Sequence, residues 1–122
     1  MKQDMKRALQ TTYIKGIFAE YLAAAFLLVK GYRILKLRYK CKHGEVDIIC
    51  KKGNAIIFVE VKYRPTLDQA LFAIDRQKYK RIQSAALHFL KGTPIYTGYD
   101  LRIDAIVINR RLFVSHEKCI IL

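Results

Sequence analysis

Proline is scarce, with only two in 122 residues, and acidic residues are few, at 10 Asp and Glu against 23 Lys and Arg. Just over half of the residues are hydrophobic, which is enough for a packed core and excludes a disordered chain. No repeat, low-complexity tract or interdomain linker interrupts the sequence, and its length suits one domain over residues 1–122. The shortage of acids leaves a formal net charge of +13, which points to polyanionic partners and says nothing about fold. Aromatic repeats of the kind that stack single-stranded bases are missing, so sequence-specific RNA reading is the weaker variant.

Cysteine is also sparse. Cys41, Cys50 and Cys119 are odd in number and lack CxxC spacing, so Cys41 and Cys50 read as free thiols in a reducing compartment. Cys41 with His43 has no second ligand pair to complete a zinc site. A long apolar run is lacking too. Residues 13–29 are apolar after a basic start, but Asp4, Lys15 and Glu20 interrupt the segment, and the clean run 21–29 is too short to span a bilayer. A core helix of a cytoplasmic protein with no membrane contact is the expectation.

Hydrophobic spacing then sets out the elements. Ile14, Ile17, Phe18, Tyr21, Leu22, Ala25, Leu28 and Val29 recur at helical period over residues 11–30, closed by Lys30 and Gly31. Residues 32–40 switch to period two, with Leu35, Leu37 and Tyr39 on one face and Lys36, Arg38 and Lys40 on the other. That cationic face suits an edge strand guarded by charge and a stripe that tracks phosphates. Residues 45–51 and 55–63 form two more strands; the second is apolar on both faces and therefore central. Residues 75–91 form a helix with Tyr79, Ile82, Ala86 and Phe89 on its stripe, ended by Gly92 and Pro94. A fourth strand covers 101–108, and residues 112–115 and 119–122 suggest a terminal hairpin. The fold class is thus α/β with order αβββαβ: a meander of three antiparallel strands, then a helical crossover that sets the fourth parallel to the third.

Gly53-Asn54 suits a two-residue hairpin loop, whose positive φ angles favour both residues. With Lys52 facing Ala55, the ladder sets Asp47 opposite Glu60 and Glu45 opposite Lys62, while Glu60 and Lys62 share a face with Ile56 and Phe58. Two carboxylates that close repel unless a cation lies between them, and Mg²⁺ or Mn²⁺ suits oxygen donors of this kind. Lys62 is then placed to orient or activate water for attack on phosphorus. A Glu-x-Lys pair also occurs on solvated sheet faces, but beside apolar neighbours on a central strand such charges need a partner or a function.

Asp47 followed by Glu60-Val61-Lys62, on this framework, resembles the PD-(D/E)XK nuclease superfamily. More closely, Gly44-Glu45-Val46-Asp47-Ile48-Ile49 with Phe58-Val59-Glu60-Val61-Lys62-Tyr63-Arg64 resembles the YraN family. Those are small bacterial proteins regarded as endonucleases related to archaeal Holliday-junction resolvases. The resemblance runs from Gly16 to about Ile108. It implies a restriction-endonuclease-like core, a Mg²⁺- or Mn²⁺-dependent endodeoxyribonuclease, and branched or structured DNA as substrate. It also implies that Asp47, Glu60 and the Val61 backbone carbonyl hold the metal. Gly16 and Glu20 fit the Gly-x-x-x-Glu of the family's first helix, so Glu20 joins the catalytic set and helps hold metal or its water; a solvated glutamate would look the same. Lys78 matches a basic position suited to a phosphate contact, and Arg102-Ile103-Asp104 matches an architectural strand. Where the family carries a glycine pair, this chain has Asp68-Gln69 before the second helix. The nucleic-acid contacts expected from charge and resemblance together are Lys36, Arg38, Lys40, Lys42, Arg64, Lys78 and Arg81, with Arg76 and Lys80 adding to the basic surface. The alternative is a non-catalytic basic module that holds nucleic acid on the same scaffold. A substrate with two cleavage points would suit a symmetric homodimer.

Overall fold

The computed structural model describes residues 2–120, with residues 8–14 described through their backbone alone. The chain runs α1 (Lys2–Val29), β1 (Arg33–Cys41), β2 (Gly44–Lys52), β3 (Ala55–Tyr63), α2 (Leu67–Phe72), α3 (Arg76–Lys91), a 3-10 turn (Pro94–Tyr96), β4 (Asp100–Ile108) and β5 (Val114–Glu117). Among the described residues the strands form one mixed sheet in the order β1-β2-β3-β4-β5. The first three strands pair antiparallel and β3 pairs parallel with β4, as the crossover requires.

The core lies on both faces of this sheet. On one face Ala19, Ala23 and Leu27 of α1 pack on Ile48, Ile57, Val59 and Ile106. On the other, Ile82, Ala85, Ala86 and Phe89 of α3 pack on Val46, Ile49, Ile56 and Phe58. β3, apolar on both sides, is buried from Ile56 to Val61. The stripe expected for α3 is the buried one. The phase expected for α1 is not: Phe18, Tyr21, Leu28 and Val29 are exposed, and the inward residues are mostly alanines. Apolar residues ring this helix almost completely, so periodicity alone cannot choose a face; small side chains let the backbone sit close to the sheet. α1 also starts at Lys2 rather than near residue 11. It ends as expected, with Gly31 at φ 89° and the Tyr32 amide donating to Leu27 O.

Other differences are local. β1 carries a bulge between Ile34 and Lys36 and a positive φ of 53° at Arg38, so its alternation is broken and Leu37 is left exposed. In the β2–β3 loop Gly53 has φ 56°, whereas Asn54 does not take positive φ; glycine at the first loop position is what one common tight hairpin turn needs. Asp68 and Gln69 lie in the first turn of α2 rather than in an open loop, since Thr66 caps the Gln69 amide and Ala70 is buried. β5 pairs antiparallel with β4, and among the described residues no strand follows it. The chain then returns beside β4, where the Ile120 amide donates to Ile103 O; residues 121–122 lie outside the described residues. Among the described residues no helix is long and apolar enough to cross a membrane.

Candidate active site

Gly44 decides how closely α3 approaches the sheet. A Cβ at this position would lie 1.9 Å from the carbonyl oxygen of Arg81, so only glycine allows β2 and the α3 backbone to meet here. The Asp75 carboxylate caps the Lys78 amide at 2.8 Å. Together these contacts hang Lys78, in the first turn of α3, over the end of β2 and β3.

The hairpin register follows the expected ladder from Lys52↔Ala55 to Ile48↔Val59. It does not extend to an Asp47–Glu60 rung. There the strands part, and Asp47 Oδ2 instead accepts the Val61 amide at 2.8 Å. This side-chain bond replaces the backbone bond lost from the ladder, and it brings the Asp47 carboxylate against β3. The expected pairing of Glu45 with Lys62 is likewise corrected. Lys62 turns to Glu60 of its own strand, Nζ to Oε1 at 3.2 Å, and Glu45 Oε1 meets Lys78 Nζ at 3.4 Å. Once the strands splay, the two residues no longer face each other across a rung.

Glu60 is the centre of the arrangement. It is 2 % exposed, and its Oε1 meets both Lys62 Nζ and, at 3.5 Å, Lys78 Nζ. Its Oε2 is buried with no hydrogen-bond partner among the described residues. A buried carboxylate oxygen left unpaired is costly and calls for an explanation. Burial first, then the charge of Glu60 and a carboxyl–carboxyl contact with it, pushes Asp47 up to about 7, against the opposing pull of the Val61 amide and Lys78. Glu20, on α1, is also raised, chiefly by burial and in part by Asp47, while its bond from Arg38 Nε at 2.7 Å acts the other way. The stripe of α1 that carries Glu20 with Ala24 and Leu27 is thus the one that turns inward.

These groups open into a cleft of about 680 Å³. α1 contributes Lys15, Gly16, Ala19 and Glu20; the strands contribute Asp47, Glu60, Val61, Lys62 and Tyr63; Arg64, Pro65, Lys78 and Arg110 complete the lining. A smaller hollow beyond Glu20 and Asp47 is lined by Arg38, Lys40 and Glu45. Of the expected nucleic-acid contacts, Arg64 and Lys78 therefore lie in the cleft and Arg38 and Lys40 border the adjoining hollow. Lys36, Lys42 and Arg81 are exposed and line neither. Lys78, expected to contact phosphate, is paired in this structure with two carboxylates, Glu45 and Glu60. Lys15 and Arg110 were not singled out by sequence, and nothing in their local pattern marks them.

Asp47 and Glu60 could hold a divalent cation through oxygen. Among the described residues no group of three or more His, Cys, Asp and Glu side chains is placed to hold a metal ion, so these two carboxylates stand as a pair. A second hollow of about 580 Å³, between α3 and β4, is lined by Phe58, Leu87, Leu101 and Ile103 together with Lys80, Gln83, Arg102 and Cys119, and holds no carboxylate.

The model of the uncharacterised protein family UPF0102 matches residues 19–108. A UPF0102 protein of Bradyrhizobium diazoefficiens is 46% identical over 101 residues, 83% of this chain and 76% of the relative. One from Methylobacterium nodulans is 42% identical over 110 residues, 90% of this chain and 85% of the relative. One from Rhodopseudomonas palustris (strain HaA2) is 41% identical over 113 residues, 93% and 85% of the two chains. The chain belongs to the UPF0102 family. The matched span includes Glu20, Asp47, Glu60, Val61, Lys62 and Lys78, whereas Lys15 and Arg110 fall just outside it.

Proposed function

We propose that this protein is a divalent-cation-dependent endonuclease that hydrolyses phosphodiester bonds in DNA, on a restriction-endonuclease-like core of the PD-(D/E)XK superfamily. The observation that carries this reading is Glu60, a carboxylate 2 % exposed with one oxygen unpaired among the described residues, next to Asp47 in a cleft rimmed by cations. An anion kept in that state is costly unless a cation completes it.

The donors fit Mg²⁺ or Mn²⁺, which take oxygen ligands and are commonly held by one or two carboxylates together with substrate phosphate. Asp47 and Glu60 would hold the ion, with the Val61 carbonyl as a third donor, and Glu20, engaged by Arg38, would reach it through water. When bound, such an ion supplies stabilisation of the charge that builds on the phosphoryl and leaving oxygens. Lys62 carries three donors; the one given to Glu60 leaves capacity to orient a water or to hydrogen-bond a phosphoryl oxygen. Lys15, Arg64 and Arg110 line the cleft and would hold the phosphates on either side of the scissile bond. Lys36, Arg38, Lys40, Lys42 and Arg81 would extend phosphate contacts beyond it. Branched or structured DNA, cut in the cytoplasm by a symmetric dimer, is the substrate we favour.

The test is incubation of the purified protein with branched, single-stranded and duplex DNA in Mg²⁺ or Mn²⁺. Cleavage that Asp47→Ala abolishes is expected. Cleavage undiminished in Asp47→Ala, or none on any substrate, would sink the reading. In the second case, cation-independent binding that weakens about 10³–10⁵-fold between about 50 and 200 mM salt, unchanged by Glu60→Ala, would identify a non-catalytic nucleic-acid module.

A further inference from the structure

Lys78 sits in an unusual place for a residue expected to touch phosphate. Its ammonium lies 3.4 Å from Glu45 Oε1 and 3.5 Å from Glu60 Oε1, and its side chain is 22% exposed. Lys62 Nζ meets the same Glu60 oxygen at 3.2 Å. Two ammonium groups therefore crowd one oxygen of Glu60, while the other oxygen has no partner among the described residues. Lys62 is fixed by the sheet two residues from Glu60. Lys78 comes from a different element, held in place by its Asp75 cap and by the close contact at Gly44.

Charge decides what this arrangement does. Glu60 stands close enough to raise the energy of the ionised form of Asp47, and Lys78 offsets that repulsion. A divalent cation between the two carboxylates offsets it more strongly, and then repels Lys78 across a short, partly dry distance. Glu45, 39% exposed, gives Lys78 a second anion, 3.4 Å away. The long flexible stem of lysine permits such a swing without moving α3.

We propose that Lys78 is the resident counter-cation of the acidic pair: it bridges Glu60 and Glu45 before a divalent cation enters, then leaves Glu60, keeps Glu45 and turns to a substrate phosphate. This inference rests on the cation-binding reading of Asp47 and Glu60. Lys78 thus acts as a positioning residue that competes with the cation and is released by it. Cation entry and readiness to grip phosphate are coupled through one side chain.

Mn²⁺ binding to the full chain without nucleic acid, followed by electron paramagnetic resonance at pH 8, tests this directly. Lys78→Met, which keeps the length and removes the charge, should bind Mn²⁺ roughly fivefold or more tightly than the natural protein, even though it cleaves DNA less well. Lys78→Arg, which keeps the charge, should stay near the natural affinity. Glu45→Gln, at a partly exposed position, should weaken Mn²⁺ binding, because Lys78 then has Glu60 as its remaining anion. Unchanged or weaker binding in Lys78→Met overturns the inference while leaving the cation site standing. Unchanged or tighter binding in Glu45→Gln does the same, and serves if Lys78→Met fails to fold. No Mn²⁺ binding by the natural protein overturns the cation site and this inference together.

Discussion

Glu60 and Asp104 are both buried carboxylates on the two central parallel strands, one step apart in register, since Val59 pairs with Asp104 and Glu60 with Ala105. Asp104 lies on a rung with Val59 of the α1-side core, while Glu60 alternates with it onto the other face. Both oxygens of Asp104 are used. Oδ1 accepts from Arg102 Nε at 2.8 Å and the Cys119 amide at 2.9 Å; Oδ2 bonds to Arg102 at 3.0 Å and His116 Nε2 at 2.8 Å. Arg102 also donates to the Tyr32 hydroxyl. Although burial acts to raise it, the bonds from His116, Arg102 and Cys119 hold the Asp104 carboxyl below its ordinary range. Asp47, beside Glu60, is pushed the other way. A satisfied buried anion ties β4, β5 and the chain end into one structure. An unsatisfied one, at a cleft, is a place for something to bind.

The contrast breaks most visibly on Glu60→Gln. It should cut DNA cleavage about 10³-fold or more while leaving the folding free energy within about 1 kcal/mol of the natural protein, because Lys62 and Lys78 can turn to water. Kinetics and urea denaturation of the same preparation check both halves. Asp104→Asn should do the reverse. It leaves Arg102 and His116 facing a neutral amide, and the loss expected in denaturation is about 3–5 kcal/mol. If Glu60→Gln unfolds the protein as severely, the two carboxylates play one role and the comparison falls.

The pH dependence of stability separates them next. Asp47 has a native value of about 7 against 3.8 in the unfolded chain, so the native state holds a proton that the unfolded state has lost. Stability should therefore fall by about 3–4 kcal/mol as pH rises from about 4 to 7, and Asp47→Asn should remove that slope. Asp104 is lowered in the native state; its contribution is present above the ordinary carboxylate range and is lost as pH falls below it. Thermal melts across pH 3–9 on both variants would show opposite slopes. The smallest effect is expected from Gly44→Ala, about 1–3 kcal/mol of stability, with α3 forced off β2 and Lys78 carried away from Glu60. A crystal structure showing Lys78 still beside Glu60 in that variant would refute the role given to the close contact.

What could be read from residues alone follows distance along the chain. The register near Gly53 is set by a loop two residues long, so the ladder was legible as far as Ile48↔Val59. Beyond it, the Asp47 carboxylate competes for the Val61 amide, and alternation alone contains no such competitor. Lys78 was legible as a cation but not as a partner of Glu60, because that contact depends on how α3 docks. A glycine opening a strand, Gly44, was the available sign of close backbone approach. His116 carried no signal: its place beside Asp104 depends on β5 pairing with β4, whereas the pattern of residues 112–122 suggested a separate hairpin. The inward face of α1 was hidden by its own uniform hydrophobicity.

The most direct measurement is a crystal soaked in Mn²⁺ at about pH 8, with anomalous scattering collected at the manganese edge. A peak between Asp47 and Glu60, about 2.0–2.4 Å from Glu60 Oε2 and an Asp47 oxygen, is expected, and it should vanish in Glu60→Gln. No peak there at millimolar Mn²⁺, with Glu60 Oε2 instead completed by an ordered water or a lysine, would contradict the assignment of this cleft as a cation-dependent active site.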